Sequence, residues 1–127
     1  MPYTPGQLVN PQPSIRVLTG AADTPTSVDN GNIVRCTSAA PVSIVFPVSS
    51  NEAVALIPGY LVNYVGEGAG LLSFAAGAGD SIYGYGQGGY FNASPHAAAG
   101  QGAFITAVLI AQNGSGVRTW ALCGALA

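Results

Sequence analysis

The chain has 127 residues, of which 49% are hydrophobic and 6% are charged, and its formal net charge is −2. This length fits one domain, and the excess of hydrophobic over charged residues excludes intrinsic disorder. The three arginines are widely separated and there is no lysine, so the basic cluster that nucleic-acid binding needs is missing. Few charges also mean little repulsion between copies, so association with other protein chains is expected.

The first 25 residues are predicted to form an extended arm. Five of the nine prolines fall in this segment. Proline removes amide donors and fixes φ, so at most one short strand, over residues 14–18, is expected here. The arm either frays as an ordinary chain end or becomes ordered by lying over a neighbouring subunit. In the second case the candidate capsid-contact residues of the arm are Pro2, Tyr3, Pro5, Leu8, Val9, Pro11 and Pro13.

The N-terminal sequence lacks the basic start and the apolar core of a secretory signal, so synthesis in a cytoplasm is expected. The longest apolar run, at residues 103–111, is too short to cross a bilayer as a helix, and no membrane partner is expected. Cysteines in a protein made in a cytoplasm are usually reduced. Cys36 and Cys123 are therefore predicted to be free thiols.

Residues 26–127 are predicted to form a β-domain. A turn signal at residues 29–32 precedes the alternating segment IVRCTS, and the next strand places Val42, Ile44 and Phe46 on one face. The segments YLVNYVG and LLSFAAG flank a glycine-rich turn at residues 66–70 and are predicted to form a hairpin.

A tyrosine-rich strand follows, and it places Tyr83 and Tyr85 on one face. Together with Tyr90 and Phe91, these residues form either a subunit interface or a receptor-binding surface, since exposed aromatic rings also stack on sugars.

The apolar run GAFITAVLIAQ is rich in β-branched residues and is predicted to be a strand buried on both faces. The sequence NGSG at residues 113–116 then predicts a hairpin turn into a last strand that contains Trp120. The pattern gives seven or eight short strands, which is typical of a small antiparallel β-sandwich or barrel of the jelly-roll type. Phe46, Phe74 and Trp120 are the expected core.

No spacing of residues predicts catalysis, a metal site or a cofactor. Gly84, Gly86 and Gly89 match a dinucleotide-binding pattern, but no helix and no acidic residue follow as that chemistry requires. His96 is the only histidine and is expected in a solvated loop. The chain is therefore predicted not to be an enzyme.

Three segments resemble a small β-domain that recurs in the virion proteins of tailed bacteriophages: GNIVRCTSAAPVSIVFP, YLVNYVGEGAGLLSFAAGAG and GQGAFITAVLIAQNGSGVRTWALCGALA. The resemblance covers roughly residues 29–127, and the closing segment is its most specific part. Residues 83–98 depart from the usual pattern, because this stretch is longer and more aromatic here. The matching positions are Pro47, Gly68 to Gly70, Phe74, Gly79, Gln101, Trp120 and Gly124.

The resemblance implies a non-enzymatic virion component that is often a trimer. A short chain with a short arm favours a capsid decoration (cement) protein, which binds the major capsid protein on the capsid surface and stabilises the head. The alternative is a tail or tail-fibre component that acts as a host receptor-binding module. In that alternative the aromatic residues would contact a host-surface glycan.

Overall fold

The computed structural model describes residues 12–51, 56–86, 89–92 and 96–127, with the backbone alone at residues 86 and 89–92. These residues form two β-sheets and one 3₁₀ turn, Ser27–Asp29. The strands are β1 (Ile15–Leu18), β2 (Ala22–Asp23), β3 (Ile33–Cys36), β4 (Val42–Val45), β5 (Leu61–Gly66), β6 (Leu72–Ala75), β7 (Ser81–Gly86), β8 (Gly89–Asn92), β9 (His96–Ala97), β10 (Phe104–Gln112) and β11 (Arg118–Gly124). The predicted all-β class and small sandwich are confirmed.

The larger sheet has seven strands in the order β1-β3-β5-β10-β11-β7-β8, and the smaller has four in the order β2-β4-β6-β9. Both sheets are mixed, whereas antiparallel pairing was predicted. Five of the nine pairings between described strands are parallel and four are antiparallel. The described strands number eleven, more than the seven or eight predicted, because two-residue strands such as β2 and β9 leave no clear alternation in the sequence.

The parallel pairings arise because the chain changes sheet after each of its first six strands. β1, β3 and β5 lie side by side in the larger sheet, while β2, β4 and β6 lie side by side in the smaller one. These six strands therefore form three successive turns of a coil, and each turn places one strand in each sheet. The predicted hairpin between β5 and β6 is wrong, since these strands belong to different sheets.

Glycines carry the chain across from β5 to β6. The amide of Gly68 donates to the carbonyl of Cys36, and the amide of Gly70 donates to the carbonyl of Ser38. A Cβ on Gly70 would collide with the carbonyl oxygen of Ala40. The connection from β5 to β6 thus packs directly on the connection from β3 to β4, and only glycine fits at position 70.

The core lies between the two sheets. Phe46 stacks on Trp120 with ring centroids 4.5 Å apart, and Phe74 meets the edge of Tyr64 at 5.6 Å. The three residues expected in the core from the sequence, Phe46, Phe74 and Trp120, are fully buried. Aromatic pairs of this kind add to the stabilisation that burial itself provides.

The segment predicted as an arm contains β1 and β2. Arg16 joins them to the rest of the sandwich, because its guanidinium lies between the carboxylates of Asp23 and Asp29 at 2.8 and 3.0 Å. The hydroxyl of Tyr64 also donates to Asp23. Pro13 is exposed just before β1. The other six candidate arm-contact residues, Pro2, Tyr3, Pro5, Leu8, Val9 and Pro11, lie outside the described residues.

The C-terminal hairpin forms the middle of the larger sheet. β10 and β11 pair antiparallel through the turn at residues 113–116, as the sequence predicted. On β11, the buried guanidinium of Arg118 donates to the Gln112 side chain and to the carbonyl of Pro47, both at 2.9 Å. This side chain ties the hairpin to the end of β4.

Candidate functional site

The surface that stands out is the side of the seven-stranded sheet that faces away from the core. Along the strands of this sheet whose side chains are described, buried or half-buried residues alternate with residues that point outward. We call the outward set the outer face. Its members are Ile15, Val17, Ile33, Arg35, Leu61, Asn63, Val65, Ser81, Tyr83, Tyr85, Phe104, Thr106, Val108, Thr119, Ala121 and Cys123.

The strand register arranges these residues in rows across the sheet. The middle row runs Ile15, Ile33, Asn63, Thr106, Cys123, Tyr85 from one strand to the next. A second row joins Val17, Arg35, Val65 and Phe104, and a third joins Leu61, Val108, Ala121 and Tyr83. Side chains in one row are neighbours on adjacent strands, so the outer face is continuous.

Large apolar side chains on the outer face reach solvent. The exposed fractions are 59% for Ile15, 51% for Val17, 47% for Phe104 and 41% for Tyr85. A sheet with one face on the core normally presents polar side chains on the other. A contiguous apolar patch on a protein surface usually marks a site of contact with another molecule.

Arg35 is the one charged residue of the outer face, as defined above. It forms an ion pair with Glu67, with Nη2 and Oε2 2.8 Å apart. The hydrogen bond to Glu67 raises the pKa of Arg35 above its ordinary value. Since the two charges cancel, the described part of this surface has no net charge.

The polar groups at the middle of the outer face bond to each other. Thr106 Oγ1 donates to Asn63 Oδ1 at 2.6 Å, and Asn63 Nδ2 donates to the carbonyl of Asn32 at 3.2 Å. These groups need no polar partner from outside. An apolar surface can therefore cover Thr106 and Asn63 without leaving either side chain without a polar partner.

Of the four predicted interface or receptor aromatics, Tyr83 and Tyr85 lie on the outer face in β7, opposite Ala121 and Cys123 of β11. The backbones of Tyr90 and Phe91 lie in β8, which pairs antiparallel with β7, while their side chains are outside the described part. The sequence therefore identified one edge of the outer face. It missed Ile15, Val17 and Phe104, because an exposed apolar residue in a strand has the same sequence pattern as a buried one.

The described residues contain no cluster of three metal-ligating side chains. His96, expected in a solvated loop, is instead buried in β9, with Nε2 3.4 Å from the carbonyl oxygen of Ile82. Gly84 and Gly86 lie in β7 and Gly89 in β8, so this glycine pattern forms a hairpin and does not begin a helix. No helix within the described ranges is long and apolar enough to cross a membrane.

The two cysteines are free, as predicted, with Cys36 buried and Cys123 exposed on the outer face. Burial raises the pKa of the Cys36 thiol to about 11. The thiol of Cys123 lies 3.9 Å from the carbonyl oxygen of Thr106. The two thiols thus differ sharply in their access to solvent.

One surface cleft, of about 330 Å³, lies between the 3₁₀ turn and residues 56–60. Its lining includes Ser27, Asn30, Ile57 and Tyr60. The hydroxyl of Tyr60 donates to the carbonyl of Thr26, and burial raises the pKa of this tyrosine. The cleft therefore offers no acid–base pair, and the outer face remains the stronger candidate site.

Comparison with family models, curated proteins and solved structures finds no match to this chain.

Proposed function

We propose that the chain is a non-enzymatic structural protein of a tailed-bacteriophage virion. In this proposal it is a capsid decoration protein, which binds the major capsid protein at the capsid surface as a homotrimer and stabilises the head. The observation that carries the proposal is the outer face, a continuous and mostly apolar surface without net charge on a small β-sandwich. The resemblance of residues 29–127 to bacteriophage virion domains is the reason for proposing that the chain belongs to a virion.

The outer face suits permanent contact with protein subunits. Its apolar side chains lose water when another protein covers them, and burial of this kind stabilises an interface by about 25 cal/mol for each Å² of apolar surface removed from water. Screening by salt acts on charges, and the outer face has one ion-paired arginine. Binding through this surface is therefore expected to be insensitive to ionic strength.

The predicted arm joins the sandwich at a suitable position. Residues 1–11 precede β1, and β1 forms one edge of the seven-stranded sheet, beside the outer face. In the proposal this arm contacts neighbouring capsid subunits through residues such as Tyr3, Leu8 and Val9. Deleting residues 2–11 should leave the sandwich folded and weaken capsid binding, because the deletion ends before β1.

Localisation on the particle tests the proposal. Purified virions are labelled with an antibody against this chain and imaged, and heads lacking the chain are heated with and without added protein. We expect label over the head surface and DNA release at a higher temperature after the protein is added. Label confined to the tail tip, or heads that gain no stability, would refute the decoration role.

A host receptor-binding module of a tail or tail fibre is the second candidate. The exposure of Tyr85 on β7 favours it, because an exposed aromatic ring can stack on a sugar. The variant Tyr85→Ala distinguishes the candidates. A receptor-binding role predicts slower adsorption to host cells, whereas a decoration role predicts unchanged adsorption.

A further inference from the structure

We infer that the outer face binds other copies of this same chain, so that the sheets of neighbouring copies pack against each other within the oligomer. Only the number of copies in the oligomer is taken from the proposed function. The partner that covers the outer face is a second copy of this chain.

The charge of the outer face permits contact with an identical surface. Like charges brought together across an interface cost several kcal/mol, and a surface with a net charge would repel its own copy. Here Arg35 and Glu67 cancel within one chain. The central Asn63 and Thr106 bond to each other, so a second apolar face leaves no central polar group without a partner.

The size of the outer face suits a weak interface between copies. Its middle row crosses six strands and its second and third rows cross four strands each, at about 4.8 Å per strand and about 7 Å per row. The footprint is about 400 Å² per copy, so two copies bury about 800 Å², which is the size of a weak interface. Sheets that pack in this way lie about 10 Å apart with interdigitated side chains.

The arrangement also accommodates three copies. Three flat faces can enclose a threefold axis, and each face then contacts both neighbours. Rotational symmetry of this kind closes the assembly and leaves no outer face exposed. In the decoration role, contact with the capsid is then made by surfaces other than the outer face. Filling the axis requires side chains without charge, as the middle row provides.

The reactivity of the Cys123 thiol reports whether the outer face is covered. It lies in β11, the fifth of the seven strands, and it is exposed in the single chain, whereas Cys36 is buried in the core. Self-association through the outer face would cover Cys123 and leave Cys36 as it was. Labelling with a thiol reagent followed by peptide mapping measures the reactivity of Cys123 and of Cys36 separately, and it needs no mutation.

The experiment measures oligomeric state by light scattering and the rate of iodoacetamide labelling over a series of chain concentrations. We expect Cys123 labelling to slow as the oligomer forms, while Cys36 stays slow at every concentration. A chain that remains a monomer would overturn the inference. So would an oligomer in which Cys123 reacts as fast as it does in the urea-unfolded chain.

A matched pair of variants tests the same point without a thiol. Phe104→Glu places an unpaired charge on the outer face, and it should weaken self-association at least about a hundredfold because a buried unpaired charge is costly. Ile57→Glu also adds one negative charge, but at a side chain that is 76% exposed and lies in the segment before β5, away from the outer face. It should associate like the parent, and equal weakening by both variants would refute the role of the outer face.

Fluorescence of Trp120, the only tryptophan, verifies that both variants are folded, because this residue is in the core. The outcomes separate the two proposals. A monomer that binds capsids refutes the inference and the homotrimer, and it preserves the binding of this chain to the capsid surface. An oligomer with protected Cys123 that never incorporates into virions preserves the inference and refutes the decoration role.

Discussion

The ionic cluster that joins β1 and β2 to the sandwich gives a quantitative prediction for Arg16→Gln. The guanidinium donates four hydrogen bonds, two to Asp23 and two to Asp29, over 2.8 to 3.2 Å. The side chains of Asp23 and Asp29 are only 9% and 6% exposed. Removing the cation therefore leaves two neighbouring carboxylates that water can barely reach.

The expected cost follows from the burial of the three side chains. Breaking a fully buried ion pair costs about 3–5 kcal/mol, but the Arg16 side chain is 38% exposed, and solvent screening reduces the cost to about 2 kcal/mol. With an m-value of about 2 kcal/mol per molar urea, the unfolding midpoint should fall by about 1 M. Trp120 fluorescence monitors the transition, at one fixed chain concentration because oligomers unfold in a concentration-dependent way.

Arg35→Gln provides the matched control. Arg35 also pairs with a carboxylate, that of Glu67, but the two side chains are 44% and 40% exposed. Exposed pairs of this type contribute little to stability, so the midpoint should remain close to that of the parent when both are measured at a chain concentration too low for self-association through the outer face. If Arg16→Gln shifts the midpoint no further than Arg35→Gln does, the reasoning from burial is wrong.

Three further predictions concern stability. Burial raises the pKa of Cys36 from 9.0 to about 11, so the unfolded thiol ionises first. Stability is full below pH 9 and falls by about 2–3 kcal/mol as the pH rises to 11, and a urea midpoint that is constant over this interval would contradict the burial of the thiol. Gly70→Ala should cost about 3 kcal/mol, since the new Cβ collides with the backbone. Gly100→Ala is the control, because Gly100 has open space around it, and this variant should unfold like the parent. Equal urea midpoints for the two variants would contradict the prediction. Arg118→Met should cost about 1–3 kcal/mol by leaving the Pro47 carbonyl without its donor. A thermal midpoint equal to that of the parent would show that this buried group needs no partner.

Local signals in the sequence located most strands. The alternation of Val42, Ile44 and Phe46 predicted β4, and the turn at residues 113–116 predicted the hairpin of β10 and β11. Such features depend on neighbouring residues alone. Strand partners depend on distant residues, so the parallel winding of β1 to β6 had no signal of its own.

The wrong hairpin between β5 and β6 shows this limit. The same glycine-rich turn can reverse a chain within one sheet or carry it to another. What distinguishes the cases is the contact of Gly70 with Ala40, thirty positions earlier in the chain. The burial of His96 was missed for a similar reason, because β9 has two residues and the carbonyl that the His96 side chain approaches, that of Ile82, belongs to the other sheet.

The candidate site was predicted in part. Tyr83 and Tyr85 were identified because aromatic residues at alternating positions share a face. The rest of the outer face was not, since an exposed isoleucine or phenylalanine in a strand has the same sequence signature as a buried one. Only the register of the seven-stranded sheet shows that Ile15 and Phe104 belong to the same surface.

The position of the C-terminal hairpin has a consequence for synthesis of the protein on the ribosome. β10 and β11 separate β5 from β7 in the seven-stranded sheet, so β7 has no partner on that side until residues 118–124 have been made. Until these residues are made, the edge of β7 that pairs with β11 stays open, and exposed strand edges of this kind promote aggregation. A message truncated before residue 118 would yield a product with a divided sheet, which cellular quality control should remove.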